Sequence, residues 1–151
     1  MKLKGSCHCG AVRFSLESET PYPYMWCYCN ICRKTAGGGG YAINIMGKAD
    51  TLKVKGKTRM YRAMRRGGER HFCPRCASAL WVWDQRWPEG IYPFASAIDT
   101  PLPAPKARQH IFLSSKPGWV KVAAQKGDKR FREYPKEAII DWHRNRGLLT
   151  P

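Results

Sequence analysis

The seven cysteines of this chain are the residues best suited to chemistry, and they fall into three short groups. Cys73 and Cys76 have the two-residue gap of a zinc knuckle, in which a tight turn directs two thiolates at one metal ion. Cys7 and Cys9 are separated by one residue, so an extended backbone would present both side chains on the same face. The spacing therefore predicts a closed four-sulfur zinc site made of these two distant pairs.

The remaining group places Cys27, Cys29 and Cys32 within six residues of one another. We expect one local loop to supply these three sulfurs, which leaves a coordination position for water or substrate on a zinc ion. A closed four-thiolate site is structural, so the group of three is the candidate reaction centre. Two alternatives stay open from the residues alone: His71 or His110 supplies a fourth ligand, or the seven ligands are divided differently between two metals.

Length and composition limit the kind of protein that carries these cysteines. A chain of 151 residues with 43% apolar and 25% charged residues fits a single domain over residues 1–151. Its apolar runs are far shorter than the roughly 20 residues of a membrane span, and an apolar N-terminal signal region is absent. An odd number of cysteines cannot pair completely in disulfides. We therefore predict a cytoplasmic, metal-binding protein without membrane contact.

The elements that must position the cysteines are mostly short strands. Apolar and polar residues alternate over residues 12–17 with the two-residue period of a half-buried strand. Pro135 and Gly147 would bound one short helix near the C-terminus. Further strands are predicted at residues 41–46, 52–55, 59–64, 79–83 and 111–113. The sequence predicts a mainly β protein with a short C-terminal helix.

The cysteine groups and the residues around them resemble one known family, the glutathione-dependent formaldehyde-activating enzymes. The likeness lies in the order and the spacing of the motifs, and it covers roughly nine-tenths of the chain. The matching motifs are the run 5–14, Cys27-x-Cys29-x-x-Cys32-Arg33-Lys34, Phe72-Cys73-x-x-Cys76, Leu80-Trp81, His110-Ile111-Phe112, Trp119 and Glu133-Tyr134-Pro135.

This resemblance implies a fold, a metal content and a reaction. The fold would be the mainly β, zinc-stabilised arrangement of antiparallel sheets shared with centromere protein V and the Mss4-like proteins. The reaction would add glutathione, or a related thiol, to formaldehyde or a small aldehyde, as a carbon-sulfur lyase acting in reverse. Two zinc ions per chain are implied. The structural ion would bind Cys7, Cys9, Cys73 and Cys76, and the catalytic ion Cys27, Cys29 and Cys32.

Residues within and beside these motifs indicate how the co-substrate would bind and where the chain departs from the family pattern. Glutathione carries two carboxylates, and Arg33 and Lys34 directly follow the group of three cysteines, so we expect these cations to bind the co-substrate. Tyr28 stands where many relatives have histidine. Ala77 and Ser78 stand where a Gly-Thr pair is often found. Substrate identity is therefore less firmly implied than family membership.

The net charge of +16 favours a second class of function, a non-enzymatic zinc-fold module that binds nucleic acid or another polyanion through a basic surface. Motifs that read bases are absent, so the sequence favours the enzyme. A third interpretation, in which every cysteine only stabilises folding, leaves the group of three unexplained. The basic residues of the second interpretation are spread through Lys53, Lys55, Lys57, Arg59, Arg62, Arg65 and Arg66.

Overall fold

The computed structural model describes residues 1–151 and shows a mainly β protein, as predicted. The strands are β1 (Lys2–Ser6), β2 (Arg13–Glu17), β3 (Met25–Cys27), β4 (Ala42–Ile43), β5 (Gly47–Lys48), β6 (Lys53–Lys55), β7 (Arg59–Arg62), β8 (Glu69–Phe72), β9 (Ala79–Trp83), β10 (Gly90–Pro93), β11 (Gln109–Ile111) and β12 (Lys129–Arg130). The helices are α1 (Asn30–Ala36) and α2 (Ile139–Arg144), with 3-10 turns at Ala49–Thr51, Ala95–Ala97 and Leu113–Ser115.

The strands form three sheets, in the orders β1-β2-β6, β5-β10-β9-β8-β7 and β12-β11-β3-β4. The first two sheets are antiparallel throughout, as expected. The third differs, because β11 runs parallel to both β3 and β12. Parallel neighbours need a long crossover connection, and the chain between β3 and β11 supplies one by first building the second sheet.

The sheets share one buried core of 16 residues that includes four of the cysteines. The alternation predicted over residues 12–17 is observed in β2, where Phe14 and Leu16 are buried while Arg13 and Glu17 are exposed. The ring of Phe14 contacts Trp81 of β9 edge to face, with centroids 5.1 Å apart. This contact joins the first sheet to the second, because β2 follows the turn of Cys7 and Cys9 and β9 follows the turn of Cys73 and Cys76.

Several element boundaries differ from those predicted. The strand expected at residues 111–113 ends at Ile111, because Phe112 adopts a left-handed backbone (φ +58°) and Leu113 begins a 3-10 turn. The strand expected at 41–46 keeps only two residues, Ala42–Ile43. The C-terminal helix is confirmed as α2, although Pro135 lies before its first turn. None of the helices is long and apolar enough to cross a membrane.

Candidate metal centres

The fold brings Cys7, Cys9, Cys73 and Cys76 together, and we call this set the quartet. Their four sulfur atoms all lie within 4.8 Å of one another. The Sγ atoms of Cys7 and Cys9 are 3.6 Å apart, and those of Cys9 and Cys73 are 3.9 Å apart. Four sulfurs at 2.3 Å from a zinc ion form a tetrahedron with edges of about 3.8 Å. The spacing of the quartet therefore suits zinc.

Two tight turns supply the quartet. Cys7 and Cys9 lie in the turn between β1 and β2, which is closed by an N–H···O bond of 3.0 Å from Gly10 to Cys7. The expectation of an extended backbone here is wrong, since the pair converges through this turn. Cys73 begins the knuckle that follows β8, and its carbonyl accepts the N–H of Ala77 at 2.9 Å. Ala77 has a φ of +58°, a conformation that favours glycine.

Neutral groups hydrogen-bond to the quartet's sulfurs. The backbone N–H of Val12 lies 3.2 Å from the Sγ of Cys7, and the hydroxyl of Ser78 lies 3.2 Å from the Sγ of Cys76. The hydroxyl and the backbone N–H of Ser78 lower the pKa of Cys76 to about 5. These donors favour thiolates, which are the form that binds zinc.

The second set, which we call the trio, consists of Cys27, Cys29 and Cys32. Its three sulfurs also lie within 4.8 Å of one another, and no histidine, carboxylate or fourth cysteine belongs to the group. Cys27 ends β3, while Cys29 caps the N-terminus of α1 by accepting the N–H of Cys32 at 3.2 Å. The expectation of a single loop is therefore wrong for Cys32, which lies in the first turn of a helix.

Mutual hydrogen bonding governs the ionisation of the trio. Hydrogen bonds from Cys27 and Cys32 hold the pKa of the Cys29 thiol well below its usual range. The hydrogen bond to Cys29 in turn raises the pKa of Cys27, and burial raises it further. Because neighbouring thiolates repel one another, ionising all three requires a cation among them. The donor set and its charge thus fit a metal ion such as zinc.

Neither of the histidines considered as a fourth ligand joins the trio. His110 lies 3.0 Å from the hydroxyl of Tyr28 through Nδ1 and 3.0 Å from Asp128 Oδ2 through Nε2. His71 lies on β8, with Nε2 3.3 Å from Glu69 Oε2. Both nitrogens of His110 are therefore engaged elsewhere, and the trio keeps three protein ligands.

A cleft of about 670 Å³ lies between α1 and the turns of the quartet. Arg33 and Lys34, the two cations expected to bind the co-substrate, both line this cleft together with Asp99 and Ser78. The Nε of Arg33 is buried without a hydrogen-bond partner. The trio's cysteines do not line the cleft, but Cys32 and Arg33 are consecutive residues of α1. The structure therefore places both cations within one helix turn of the trio.

Known proteins match this chain over the segment that holds both cysteine sets. The family model described as "Glutathione-dependent formaldehyde-activating enzyme" matches residues 2–115, which include all seven cysteines. The chain belongs to this family. A protein of Halomonas elongata, provisionally named as a glutathione-dependent formaldehyde-activating enzyme, is 58% identical over 154 residues, which cover 98% of each chain.

A solved structure supports the same fold. The crystal structure of a Rhodobacter sphaeroides protein is 26% identical to this member of the family, with a TM-score of 0.55. The match covers 66% of this chain and 91% of that one. The likeness thus extends over most of the smaller protein.

Tyr28, the residue that departs from the family pattern within the trio's motif, contacts His110. Its side chain is buried, which raises its pKa to about 12, and its hydroxyl meets His110. Burial alone would raise the pKa of Asp128, but hydrogen bonds from His110 and from the Gln125 N–H hold it well below its usual range. Sequence reasoning missed this network, because its members lie 82 and 18 residues apart.

Sequence reasoning also missed two side chains that interact with the trio. Arg70 on β8 places Nη1 and Nη2 at 3.8 and 3.7 Å from the Sγ of Cys32. Burial raises the pKa of Tyr134, and negative charge on the trio, first at Cys27, would raise it further. The motif containing Tyr134 was recognised without a role, and no motif pointed to Arg70.

The basic residues noted in the sequence form an exposed surface along β6, β7 and the segments that follow each strand. All seven cations of residues 53–66 are exposed, and this stretch contains no carboxylate. Only Arg62 forms an ion pair, with Glu69. The segment also exposes Val54, Met60, Tyr61 and Met64. This basic surface is separate in sequence from both cysteine sets.

Proposed function

We propose that this member of the family is a zinc-dependent enzyme that adds glutathione, or a related thiol, to formaldehyde or a small aldehyde. The reaction would be that of an S-(hydroxymethyl)glutathione synthase, classed as a carbon-sulfur lyase in its reverse direction. The observation that carries this proposal is the trio, in which three sulfurs converge without a fourth protein ligand. Membership of the family supports the choice of thiol and aldehyde.

The two cysteine sets would hold two zinc ions with different purposes. The quartet would saturate one ion with four thiolates and stabilise the fold, while the trio would hold the other with a ligand position to spare. Zinc bound at the trio would supply Lewis acidity and stabilise a thiolate at neutral pH. The catalytic assignment of Cys27, Cys29 and Cys32 rests on this difference in ligand number.

The chemical step needs no oxidant and no further co-reactant. The sulfur of the thiol forms a bond to the carbonyl carbon, the carbon-oxygen π pair moves onto oxygen, and the proton released from sulfur ends on that oxygen. The protein therefore has to orient the thiol toward the aldehyde and keep its sulfur ionised. Both tasks fall to side chains around α1, because this helix links the trio to the cleft.

The cleft beside α1 suits the charges of glutathione. Glutathione has two carboxylates and one ammonium group, and the cleft presents Arg33, Lys34 and Asp99. The guanidinium of Arg33 and the ammonium of Lys34 line this cleft and can donate charge-assisted hydrogen bonds to carboxylate oxygens. We assign these two cations to the carboxylates and Asp99 to the ammonium, with the thiol directed toward Cys32.

A kinetic experiment tests the proposal directly. NMR exchange spectroscopy should show that the zinc-loaded protein accelerates formation of S-(hydroxymethyl)glutathione over buffer. Cys29→Ser should remain folded, lose one zinc per chain and lose the acceleration, because the trio would keep two thiolates. Undiminished acceleration by Cys29→Ser would exclude the trio as the reaction centre.

A second variant tests the cleft. Arg33→Ala should raise the KM for glutathione by roughly ten- to a hundredfold, since a hydrogen bond to a charged group contributes roughly 1.5–3 kcal/mol. The KM for 2-mercaptoethanol, which has no carboxylate, should stay unchanged. Equal effects on both thiols would place the glutathione carboxylates elsewhere.

The cellular site follows from cysteine chemistry in this proposal. All seven cysteines are free, and the thiols of both sets must stay reduced to bind metal. A reducing compartment preserves such thiols, so we place the reaction in the cytoplasm.

The basic surface supports a second candidate function, the binding of a polyanion such as single-stranded nucleic acid. Six of its seven cations form no ion pair, and Tyr61 is exposed among them. Such binding would weaken steeply with salt. The logarithm of the binding constant should fall with the logarithm of the salt concentration, with a slope of about −0.7 for each phosphate contact. Fluorescence anisotropy with a labelled oligonucleotide measures this slope. Absence of binding at low salt would remove this candidate and leave the enzymatic proposal untouched.

A further inference from the structure

Arg70 is the one cationic side chain that contacts a sulfur of either cysteine set. Its two terminal nitrogens lie 3.8 and 3.7 Å from the Sγ of Cys32, a distance at which an N–H group donates to the large sulfur atom. Cys32 is buried, with 6% of its surface exposed. The contact therefore joins a guanidinium of the second sheet to a buried sulfur on α1, across 38 residues of sequence.

The surroundings of Arg70 leave it free for this contact. Side chains alternate along a strand, so Glu69 and His71 lie on the opposite face of β8, where they contact each other. Glu69 also pairs with Arg62. Arg70 itself takes part in none of the ion pairs with carboxylates. The sulfur of Cys32 is thus the only acidic partner of this guanidinium.

The position of Arg70 is fixed by the pairing of β8 within the second sheet and by the knuckle that follows this strand. Three residues after Arg70 the chain reaches Cys73, and the backbone of β8 pairs with β7 on one side and β9 on the other. The bulge between His71 and Phe72 changes the register just before the knuckle begins. A strand held on both edges and at its end is a rigid mount for a side chain.

Charge balance indicates what this guanidinium does for the trio. Three thiolates and one divalent ion leave one net negative charge, and an incoming thiolate would make it two. The charge of Arg70 offsets one of these. The quartet has four thiolates and only neutral hydrogen-bond donors, and it has no incoming ligand to accommodate.

We propose that Arg70 is a positioning residue that holds the sulfur of Cys32 and offsets the charge of the trio, so that a metal bound there accepts an anionic thiol. This inference rests on the proposed function, because it requires a ligand position that is open to an outside thiol. It assigns to Arg70 the affinity for that thiol rather than the retention of the metal.

Cobalt substitution tests the inference with a spectroscopic signal. Cobalt(II) replaces zinc in the whole chain, and the sulfur-to-cobalt charge-transfer absorption is followed while 2-mercaptoethanol or glutathione is added. Arg70→Gln should keep two metals per chain and bind either thiol about tenfold more weakly, because it loses a charge-assisted contact. Arg70→Lys keeps the charge but not the paired N–H groups, and it should give an intermediate affinity.

A matched control removes the same charge without the contact. Arg59 lies on β7 of the same sheet, is exposed and forms no ion pair. The thiol affinity of Arg59→Gln should therefore equal that of the unaltered protein. Equal affinity in Arg70→Gln and the unaltered protein would overturn the inference about Arg70 alone. Loss of the second metal from both Arg70 variants would also overturn it, since the residue would then be needed for the site itself.

The same titration separates this inference from the function on which it rests. A spectrum of the unaltered cobalt protein that does not respond to thiol would show a closed trio, which contradicts the proposed function. A response in the unaltered protein that is diminished in Arg70→Gln supports both.

Discussion

The quartet and the trio use the same ligand chemistry but are assembled in opposite ways. The quartet joins two turns whose cysteines lie 64 residues apart, one from the first sheet and one from the second. The trio takes all its sulfurs from residues 27–32 at the junction of β3 and α1. A metal in the quartet therefore closes a long loop and ties two sheets together, whereas a metal in the trio constrains only a local segment.

The two sets also differ in the groups that contact their cysteines. Backbone N–H groups and a serine serve the quartet, and they come from its own turns. The trio also has a local donor, the N–H of Cys32, but it is supported in addition by distant residues: Arg70 contacts Cys32, and His110 and Asp128 act through Tyr28. A self-sufficient set suits a structural role. A set positioned from elsewhere suits a site whose metal must remain available to a ligand.

The largest expected difference between the two sets is in folding. Cys73→Ser should abolish zinc binding at the quartet and prevent a soluble fold, because binding of a structural zinc is worth about 10–16 kcal/mol and exceeds typical domain stability. Metal analysis and circular dichroism of the purified chain measure both effects. Cys29→Ser is the matched variant in the trio, and its circular dichroism should be unchanged. A comparable loss of structure in both variants would abolish the distinction between the sets.

Sequence spacing predicted the two cysteine sets but left other divisions of the seven cysteines open, because the two pairs of the quartet lie 64 residues apart and only the fold brings them together. Spacing was not enough for α1. A helix of seven residues capped by Cys29 lacks the serine, threonine, aspartate or asparagine cap and the long periodic face that announce a helix. The position of Arg33 and Lys34 beside a cleft also depends on this helix, whereas the spacing of the cysteines predicts a loop there.

The supporting residues of the trio were harder still to predict. Arg70 is one of 27 basic residues, and nothing local separates it from the exposed cations of residues 53–66. Its role depends on the register of β8 between β7 and β9, a long-range property of the sheet. His110 was considered as a metal ligand and as part of a family motif, but its partner Asp128 could not be predicted, because the parallel pairing of β11 with β12 brings Asp128 to it.

An intermediate effect is expected from the network behind the trio. Asp128→Asn preserves the shape of the side chain but replaces an acceptor of His110 and Arg108 with a donor. We expect a loss of about 3 kcal/mol in the free energy of unfolding, as for other broken buried pairs. Release of metal from the trio to a chromogenic chelator should accelerate, because Tyr28 holds the segment between Cys27 and Cys29.

The stability that Asp128 contributes to the folded protein depends on pH with a definite sign. The pKa of Asp128 is lowered in the folded protein, so its stabilisation is complete above the ordinary aspartate pKa of about 3.9 and is lost as the pH falls below it. Urea unfolding should therefore show a difference between Asp128→Asn and the unaltered protein that narrows as the pH falls below about 3.9. Asp50→Asn, at an exposed carboxylate without an ion pair, is the control and should cost little. If Asp128→Asn also released metal faster from the quartet, the network would not act on the trio alone.

The smallest expected effect concerns the knuckle of the quartet. Ala77 has a φ of +58°, where a Cβ atom costs about 1–2 kcal/mol, whereas glycine adopts this conformation freely. Part of that gain is lost because glycine has more freedom to lose on folding, so Ala77→Gly should stabilise the protein by about 1 kcal/mol. For a chain of this length, the melting temperature should rise by roughly 2–4 °C.

Ala79→Gly makes the same chemical change two residues later in β9, where the backbone is extended, and it should lower the melting temperature instead. Opposite signs would locate backbone strain in the quartet's own turn. Equal destabilisation would mean that the methyl group of Ala77 contributes more to packing than its backbone conformation costs.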